Sequence, residues 1–192
     1  MLHIALLEPQ IPPNTGNIAR LCAATDTALH LVEPLGFSLD DKHLKRAGLD
    51  YWDKVDLWRH PTWFDFRNAI SRERCLYFSA HGGQDYLEAP YKENSVLVFG
   101  REDTGLPARI LEKHPEQCYR IPMPGDVRSL NLATAAGIVL YEAMRQIGRG
   151  KEVPVTDDPD GQVATGAAAP AASAPKPKRG RSRRGGAGRK RA

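Results

Sequence analysis

The chain has 192 residues, a formal net charge of +4, three cysteines and six histidines, which suits one globular domain with an extension better than two domains. No apolar run reaches the roughly 20 residues that cross a bilayer. The apolar start ends at Glu8 and Pro9 with no basic residues before it, so no signal peptide is predicted. Odd, widely spaced cysteines and scattered histidines exclude a disulfide framework and a recognisable metal site. We expect a cytoplasmic protein that binds no metal and no membrane.

Short apolar runs alternate with helical stretches over residues 1–150. Buried strands are predicted at residues 2–7, 29–32, 75–79, 95–99 and 117–121, with a weaker strand at 54–58. Helices are predicted at residues 18–28, 40–47, 61–70, 107–113 and 129–148. Because strands separated by helices form βαβ units, the pattern predicts an α/β fold with a parallel sheet and helices on both faces.

The last predicted helix is apolar on all sides. Residues 132–140 include one polar side chain, Thr134, and the neighbouring residues 133 and 135–137 are all small. A helix of this kind is buried all round. In a body of 150 residues, burial on every side requires a second chain to cover one face. We therefore predict a homodimer.

Charge and composition change abruptly after Gly150. Residues 151–192 hold ten Lys and Arg against four Asp and Glu, which leaves residues 1–150 with a net charge of −2. The segment is rich in Ala, Gly and Pro and cannot bury enough apolar surface to offset its chain entropy. We predict one domain over residues 1–150 and a disordered tail over 151–192. Its basic residues would contact RNA phosphates without reading bases; a solubilising extension with no specific partner is the alternative.

The first of three polar clusters spans residues 12–20. Its prolines disfavour an earlier helix, and Asn14 and Asn17 are good cap residues, so Arg20 is expected about one turn into the next helix. The helix dipole disfavours a cation at that end. A bound anion such as an RNA phosphate would explain the arginine, and a simple turn with a surface charge is the alternative.

The second cluster spans residues 99–107. Gly100 directly follows the strand at 95–99, where a parallel sheet presents its ligand crevice. Glycine at this point lets backbone amides approach a ligand closely. The absence of GxGxxG argues against an ordinary dinucleotide site. An ordinary βα loop, with acidic residues at a helix start, remains the alternative.

The third cluster spans residues 120–132. A predicted strand leads into a loop rich in Pro and Gly, and Ser129 is placed to cap the last helix. Asn131 is expected in the first turn of that helix among apolar neighbours, where its amide needs hydrogen-bond partners. A cap and a structural amide would explain both residues without a ligand.

Taken in order, the three clusters resemble the signature motifs of the SPOUT methyltransferases, a superfamily of class IV-like SAM-binding enzymes. The motifs read Asn-x-Gly-Asn-Ile-x-Arg at 14–20, Phe-Gly-x-Glu-x-x-Gly-Leu at 99–106, and Ile-Pro-Met with Arg-Ser-Leu-Asn-Leu at 121–132. More narrowly, residues 8–17 and Lys-Arg-Ala-Gly-Leu-Asp-Tyr at 45–51 resemble the tRNA wobble-nucleotide 2′-O-methyltransferases of the TrmL (YibK) type. The resemblance covers residues 1–150.

This resemblance implies a fold with a C-terminal trefoil knot and S-adenosylmethionine as methyl donor, with S-adenosylhomocysteine as product. It implies that three loops hold this cofactor through Phe78, Ser79, Gly100, Glu102, Ile121, Met123 and Ser129. It also implies a pocket at the interface of a homodimer, which combines Arg20 of one subunit with the cofactor loops of the other.

The resemblance assigns the catalytic role to Arg20. A guanidinium stays protonated in proteins, so we expect it to bind a phosphate and stabilise the developing alkoxide rather than to act alone as a base. Asn14 and Asn131 would position Arg20 or the ribose, and Tyr141 would complete the pocket.

The substrate that the resemblance implies is the ribose 2′-hydroxyl of the wobble nucleotide in the tRNA anticodon stem-loop. The nucleotide would be a cytidine or a modified uridine, with leucine isoacceptors as the implied tRNAs. Another tRNA or rRNA ribose, or a non-catalytic RNA-binding relative, is the alternative. A Rossmann-type oxidoreductase is disfavoured because its glycine fingerprint is missing.

Overall fold

The computed structural model describes residues 1–39 and 54–149. The predicted helix at 40–47, the heptapeptide at 45–51 and the basic tail at 151–192 lie outside these residues. The division into a domain and a tail therefore stays a prediction, as does the knot.

Within the described residues, the strands form one seven-stranded sheet. They are β1 (His3–Leu7), β2 (Ala28–Val32), β3 (Leu57–His60), β4 (Cys75–Phe78), β5 (Gln84–Asp85), β6 (Val96–Phe99) and β7 (Cys118–Arg120). Their order across the sheet is β3-β2-β1-β6-β4-β7-β5. Each neighbouring pair of these strands is parallel, so the predicted parallel sheet is confirmed. β5 was not predicted, because two residues are too few to show a strand period.

Helices cover both faces of the sheet, as predicted. They are α1 (Pro12–Thr25), α2 (Trp63–Ala69), α3 (Ala108–Lys113) and α4 (Leu132–Gln146). Alternate strand residues point to opposite faces, and the core is divided accordingly. One apolar cluster joins Ile4 and Leu97 to α1 and α4. The other joins Val98 to Phe66 of α2 and Ile110 of α3.

The start of α1 differs from the prediction. The helix begins at Pro12, with Pro12 and Pro13 in its first two positions, so the motif at 14–20 is helical throughout. Proline is compatible with the first turn because its missing N–H would have no intrahelical partner there. Arg20 is consequently the ninth residue of the helix, not one turn from its positive end. The dipole argument for a phosphate at Arg20 therefore does not apply.

The last helix is not buried on every side in the single chain. α4 buries one stripe, which consists of Leu132, Ala136, Val139, Leu140 and Ala143. Thr134 and Tyr141 are exposed on the opposite side. The sequence does not show which side of this helix is buried, because the small residues alanine and glycine occupy both sides. The single chain thus leaves one side of the helix uncovered, which is the side that a second chain would have to cover, and that second chain stays a prediction.

Candidate active site

A cavity of about 410 Å³ opens beside the carboxyl ends of β4, β6 and β7. Its volume falls within the range of roughly 300–1,000 Å³ that is typical of small-molecule sites. The structure brings all seven predicted cofactor-binding residues to its wall, namely Phe78, Ser79, Gly100, Glu102, Ile121, Met123 and Ser129. Asn14 and Asn131 also line it. Residues from four separate segments of the chain therefore meet in one cavity.

Several cavity residues had no predicted role. Leu130, Leu132 and Ala135 add apolar surface, while His81, Thr104 and Arg128 add polar groups. Four of these six lie inside the second or third motif. Their position next to predicted site residues could have indicated that they line the cavity. Ala135 and His81 lie outside the motifs and carried no such signal.

A chain of hydrogen bonds connects three elements beside the cavity. The Glu102 carboxylate accepts the backbone N–H of Gln10 at 2.8 Å and that of Ile11 at 3.1 Å. It also accepts the Asn14 side-chain amide at 3.1 Å, and the Asn14 carbonyl oxygen accepts the amide of Asn131 at 2.9 Å. The loop after β6, the start of α1 and the start of α4 are thereby fixed relative to one another. Glu102 is fully engaged by protein donors, so its carboxylate acts as a brace.

Asn131, not Ser129, caps α4. Its side-chain oxygen accepts the backbone N–H of Ala133 at 2.9 Å and of Thr134 at 3.3 Å. The expectation that Ser129 caps the helix is wrong, and so is the placement of Asn131 inside the first turn. The helix begins at Leu132, which leaves Ser129 in the loop at the cavity wall. The expectation that the Asn131 side chain has hydrogen-bond partners is confirmed. Its oxygen accepts backbone N–H groups at the helix start, and its NH2 group donates to Asn14.

Gly100 is required by the loop that follows β6. A Cβ at this position would lie 2.1 Å from the carbonyl carbon of Gly105 and 2.3 Å from the nitrogen of Leu106. The loop folds back on itself through paired backbone bonds between Arg101 and Gly105. Gly105 has a φ of +71°, a conformation that glycine adopts readily. The glycines therefore shape the cavity wall. The sequence had suggested another reason for Gly100, the close approach of a ligand.

Arg20 and Tyr141 lie apart from this cavity. Both are exposed, Tyr141 to 58%, and neither lines the cavity of its own chain. α1 and α4 run side by side on one face of the sheet, tied at their starts by Asn14 and Asn131. The two exposed residues therefore belong to the outward side of this helix pair. The predicted catalytic set is brought together in part, with the asparagines at the cavity and Arg20 and Tyr141 outside it.

The described residues hold neither a metal-binding cluster nor a helix that could cross a membrane. In residues 1–39 and 54–149, no group of three or more His, Cys, Asp and Glu side chains is arranged to hold a metal ion. No helix in the same part of the chain has the length and apolar character to cross a membrane.

Comparison with known proteins defines the class of this chain. Residues 1–141 match the SpoU rRNA Methylase family. The chain belongs to this family, and it is a methyltransferase with the SPOUT fold that the motifs implied.

More specific relatives share most of their length with the chain. An Escherichia coli K12 protein named tRNA (cytidine(34)-2′-O)-methyltransferase is 48% identical over 149 residues, 77% of this chain and 95% of that protein. A structure described as giving insight into 2-OH methylation of C/U34 on tRNA is 50% identical, with a TM-score of 0.73 over 76% of this chain and 95% of that one. The SpoU methyltransferase AviRb from Streptomyces viridochromogenes, solved with AdoMet, is 25% identical, with a TM-score of 0.67 over 76% of this chain and 57% of that one.

Proposed function

We propose that this protein transfers the methyl group of S-adenosylmethionine to the ribose 2′-hydroxyl of the wobble nucleotide in a tRNA anticodon. The observation that carries the proposal is the single cavity in which residues of all three motifs meet. The 48% identity to the Escherichia coli protein, over 95% of its length, supports tRNA as the substrate. Cytidine and modified uridine are the candidate nucleotides, and leucine isoacceptors are the first tRNAs to test. A tRNA substrate also favours a cytoplasmic location.

The residues of the cavity fit S-adenosylmethionine. Phe78, Ile121 and Leu132 provide an apolar surface for an adenine ring, and the hydroxyls of Ser79 and Ser129 provide hydrogen-bonding groups at the same wall. The sulfonium of the bound cofactor would supply an already activated methyl group. The acceptor hydroxyl must therefore be oriented more than it must be activated, and positioning supplies most of the acceleration.

Arg20 would bind the phosphate next to the acceptor ribose and stabilise the oxyanion that forms as the hydroxyl loses its proton. Its guanidinium is permanently protonated and cannot itself take that proton, which passes to solvent water as the methyl group moves to the ribose oxygen and S-adenosylhomocysteine is released. Asn14 lies two turns earlier on the same helix and is held by Glu102 and Asn131. These bonds fix the direction of α1 and, through it, the position of Arg20.

A second copy of the chain would complete the site. Arg20 and Tyr141 face outward from the pair formed by α1 and α4, away from the cavity of their own chain. The half-buried Leu21 and Ile138 of the same helices add apolar surface to this side. We propose that two copies pack through this side, so that Arg20 of the partner subunit reaches the cavity.

Substitution Arg20→Ala tests the assignment. Loss of a positioned group that stabilises an oxyanion lowers kcat by roughly 10²–10³-fold, and we expect tritiated-methyl incorporation into tRNA to fall at least that far. Calorimetry with S-adenosylhomocysteine should give an affinity within a few-fold of the unsubstituted protein, because Arg20 does not line the cavity of its own chain. Lys92→Ala, which removes an exposed cation away from α1, α4 and the cavity, is the control. Unchanged turnover in Arg20→Ala would refute the role.

The same assay separates the two alternatives. A non-catalytic RNA-binding relative would bind tRNA without incorporating label. An enzyme for another ribose would incorporate label outside the anticodon, or into rRNA instead of tRNA.

A further inference from the structure

A second cleft, of about 630 Å³, lies between α2 and α3 on the face of the sheet opposite to α1 and α4. Arg72, Arg109 and Lys113 line it and are exposed. No carboxylate in the described part of the chain lies within 4.0 Å of these three cations. The cleft therefore presents positive charge that no carboxylate of residues 1–39 or 54–149 pairs.

The two acidic residues at the cleft are each paired with an arginine that does not line it. Glu33 forms an ion pair with Arg59 at 2.6 Å, and Glu8 lies 3.6 Å from Arg101. The charge of Glu33 is therefore compensated, whereas that of Glu8 is compensated only in part, because Arg101 also pairs with Asp103 at 2.9 Å. His114, also at the cleft, has a lowered pKa, first because it is partly buried and further because Arg67, Arg72 and Lys113 lie near it, although Glu116 opposes this shift. The local potential of the cleft is positive, which favours an anionic ligand.

Aromatic surface accompanies these cations. Phe64 of α2 is 71% exposed at the cleft, and the guanidinium of Arg67 lies 5.8 Å from the centre of the Trp63 ring. An exposed phenylalanine beside unpaired cations is typical of sites for single-stranded nucleic acid, where bases stack on rings and phosphates contact Arg and Lys. A peptide of Asp and Glu alone would use the cations and would leave the ring without a partner.

The cleft also lies on a path from the cofactor cavity. A third, smaller cavity under the loop after β6 shares Arg101, Thr104 and Gly105 with the cofactor cavity. It shares Glu8 with the cleft. The shared residues place the three cavities next to one another, so that one extended RNA segment bound in the cleft would lead toward the cofactor cavity.

We propose that the cleft between α2 and α3 binds a single-stranded segment of the RNA substrate, with phosphates on Arg72, Arg109 and Lys113 and a base stacked on Phe64. The identity of that RNA as tRNA rests on the proposed function. The cleft itself lies outside the residues to which methyl transfer is assigned, so it contributes affinity rather than chemistry.

Binding of fluorescent oligouridine and of unmodified tRNA to the full chain, measured by anisotropy across a salt series, tests the proposal. Lys113→Ala removes one phosphate contact, so the slope of log K against log salt should become shallower by about 0.7. Phe64→Ala should weaken binding about tenfold, within the 1–3 kcal/mol per base expected for stacking, and leave the slope unchanged. Lys92→Ala, an exposed lysine ahead of β6, is the control and should match the unsubstituted protein.

Two further measurements separate the cleft from the proposed function. Affinity for S-adenosylhomocysteine and methyl transfer at saturating tRNA should be unchanged in Lys113→Ala and Phe64→Ala. If the unsubstituted protein does not methylate tRNA but oligouridine binding depends on Lys113 and Phe64, the proposed function fails and the cleft assignment holds. Two results would overturn the cleft assignment. One is that Lys113→Ala and Phe64→Ala bind oligouridine and tRNA as tightly as Lys92→Ala does. The other is that polyglutamate displaces oligouridine at equal charge concentration.

Discussion

Glu102 joins two segments that are distant in the sequence, since its carboxylate accepts the N–H of Gln10, 92 residues earlier in the chain. The motif at 99–106 placed Glu102 at the cavity, and the structure agrees. The motif could not reveal its partners, because a hydrogen bond between segments so far apart leaves no periodic or local signal. The role of Glu102 as a brace could be recognised only from the fold, and its contact with the cofactor stays a prediction.

We expect Glu102→Gln to destabilise the protein by about 2 kcal/mol, since hydrogen bonds to a charged group contribute roughly 1.5–3 kcal/mol each. The NH2 group of the new glutamine would also face a hydrogen-bond donor. In one orientation of the amide it faces the N–H of Gln10, and in the other it faces the N–H groups of Ile11 and Asn14. Urea unfolding followed by circular dichroism measures the change. Glu112→Gln, at an exposed position on α3, should alter the free energy of unfolding by less than about 0.5 kcal/mol. Equal stability of the two variants would contradict the brace.

At the scale of elements, three neighbouring strands are connected by a row of histidines that the sequence did not indicate. His3 Nδ1 lies 3.0 Å from His30 Nε2, and His30 Nδ1 lies 3.0 Å from His60 Nε2. Each strand contributes one histidine, and the positions are about 30 residues apart, so no motif spacing appears. Burial lowers the pKa of His30 to about 3 and of His3 to about 4, with nearby positive groups adding to both shifts, and burial also lowers that of His60. The row is neutral in the folded protein at neutral pH.

A lowered pKa means that the unfolded chain binds protons at a higher pH than the folded one. Stability should therefore fall as the pH drops below 6.5, by about 1.4 kcal/mol per pH unit for each histidine that takes up a proton only on unfolding. Urea unfolding between pH 7 and pH 5 measures the effect, above the range in which the carboxylates titrate. His30→Phe should reduce this pH dependence, and His81→Asn, at an exposed position, should not. A free energy of unfolding that is equal at pH 7 and pH 5 would contradict the interpretation.

The boundaries of elements show what local sequence could predict. Residues 75–78 and 96–99 were predicted to within a residue, because short apolar runs bounded by polar residues are distinctive in a parallel sheet. The start of α1 was placed six residues too late, because two prolines and a glycine resemble a turn. Only the tertiary contacts of Asn14 and Glu102 distinguish that turn from the first turn of a helix.

For the whole molecule, the sequence predicted the α/β fold and, through the resemblance, the cavity wall and a site shared between two subunits, of which the shared site stays a prediction. Arg20 and Tyr141 lie on an outward side, and their proposed approach to a cavity requires a second copy of the chain. A further contribution to RNA binding is proposed for the tail at 151–192, whose net charge is +6. Sedimentation of the full chain at working concentration should give a dimer, and a monomer would contradict the proposed site.

Deletion of residues 151–192 should weaken tRNA binding most at low salt, because attraction between a basic tail and phosphates depends on counterion release. Affinity for S-adenosylhomocysteine should stay unchanged, since the described residues that line the cavity all precede the deletion. Anisotropy titrations at two salt concentrations and calorimetry measure these quantities. Loss of cofactor binding on truncation would instead make the tail part of the folded domain.

The most direct test of the central claim is to locate the transferred methyl group. The full chain is incubated with unmodified tRNA and S-adenosylmethionine, and the RNA is digested and sequenced by mass spectrometry. We predict one added methyl group, on the ribose of the first anticodon nucleotide, and none when Arg20→Ala replaces the unsubstituted protein. A methyl group on a base or on a ribose elsewhere, or tRNA recovered unmodified, would contradict the account.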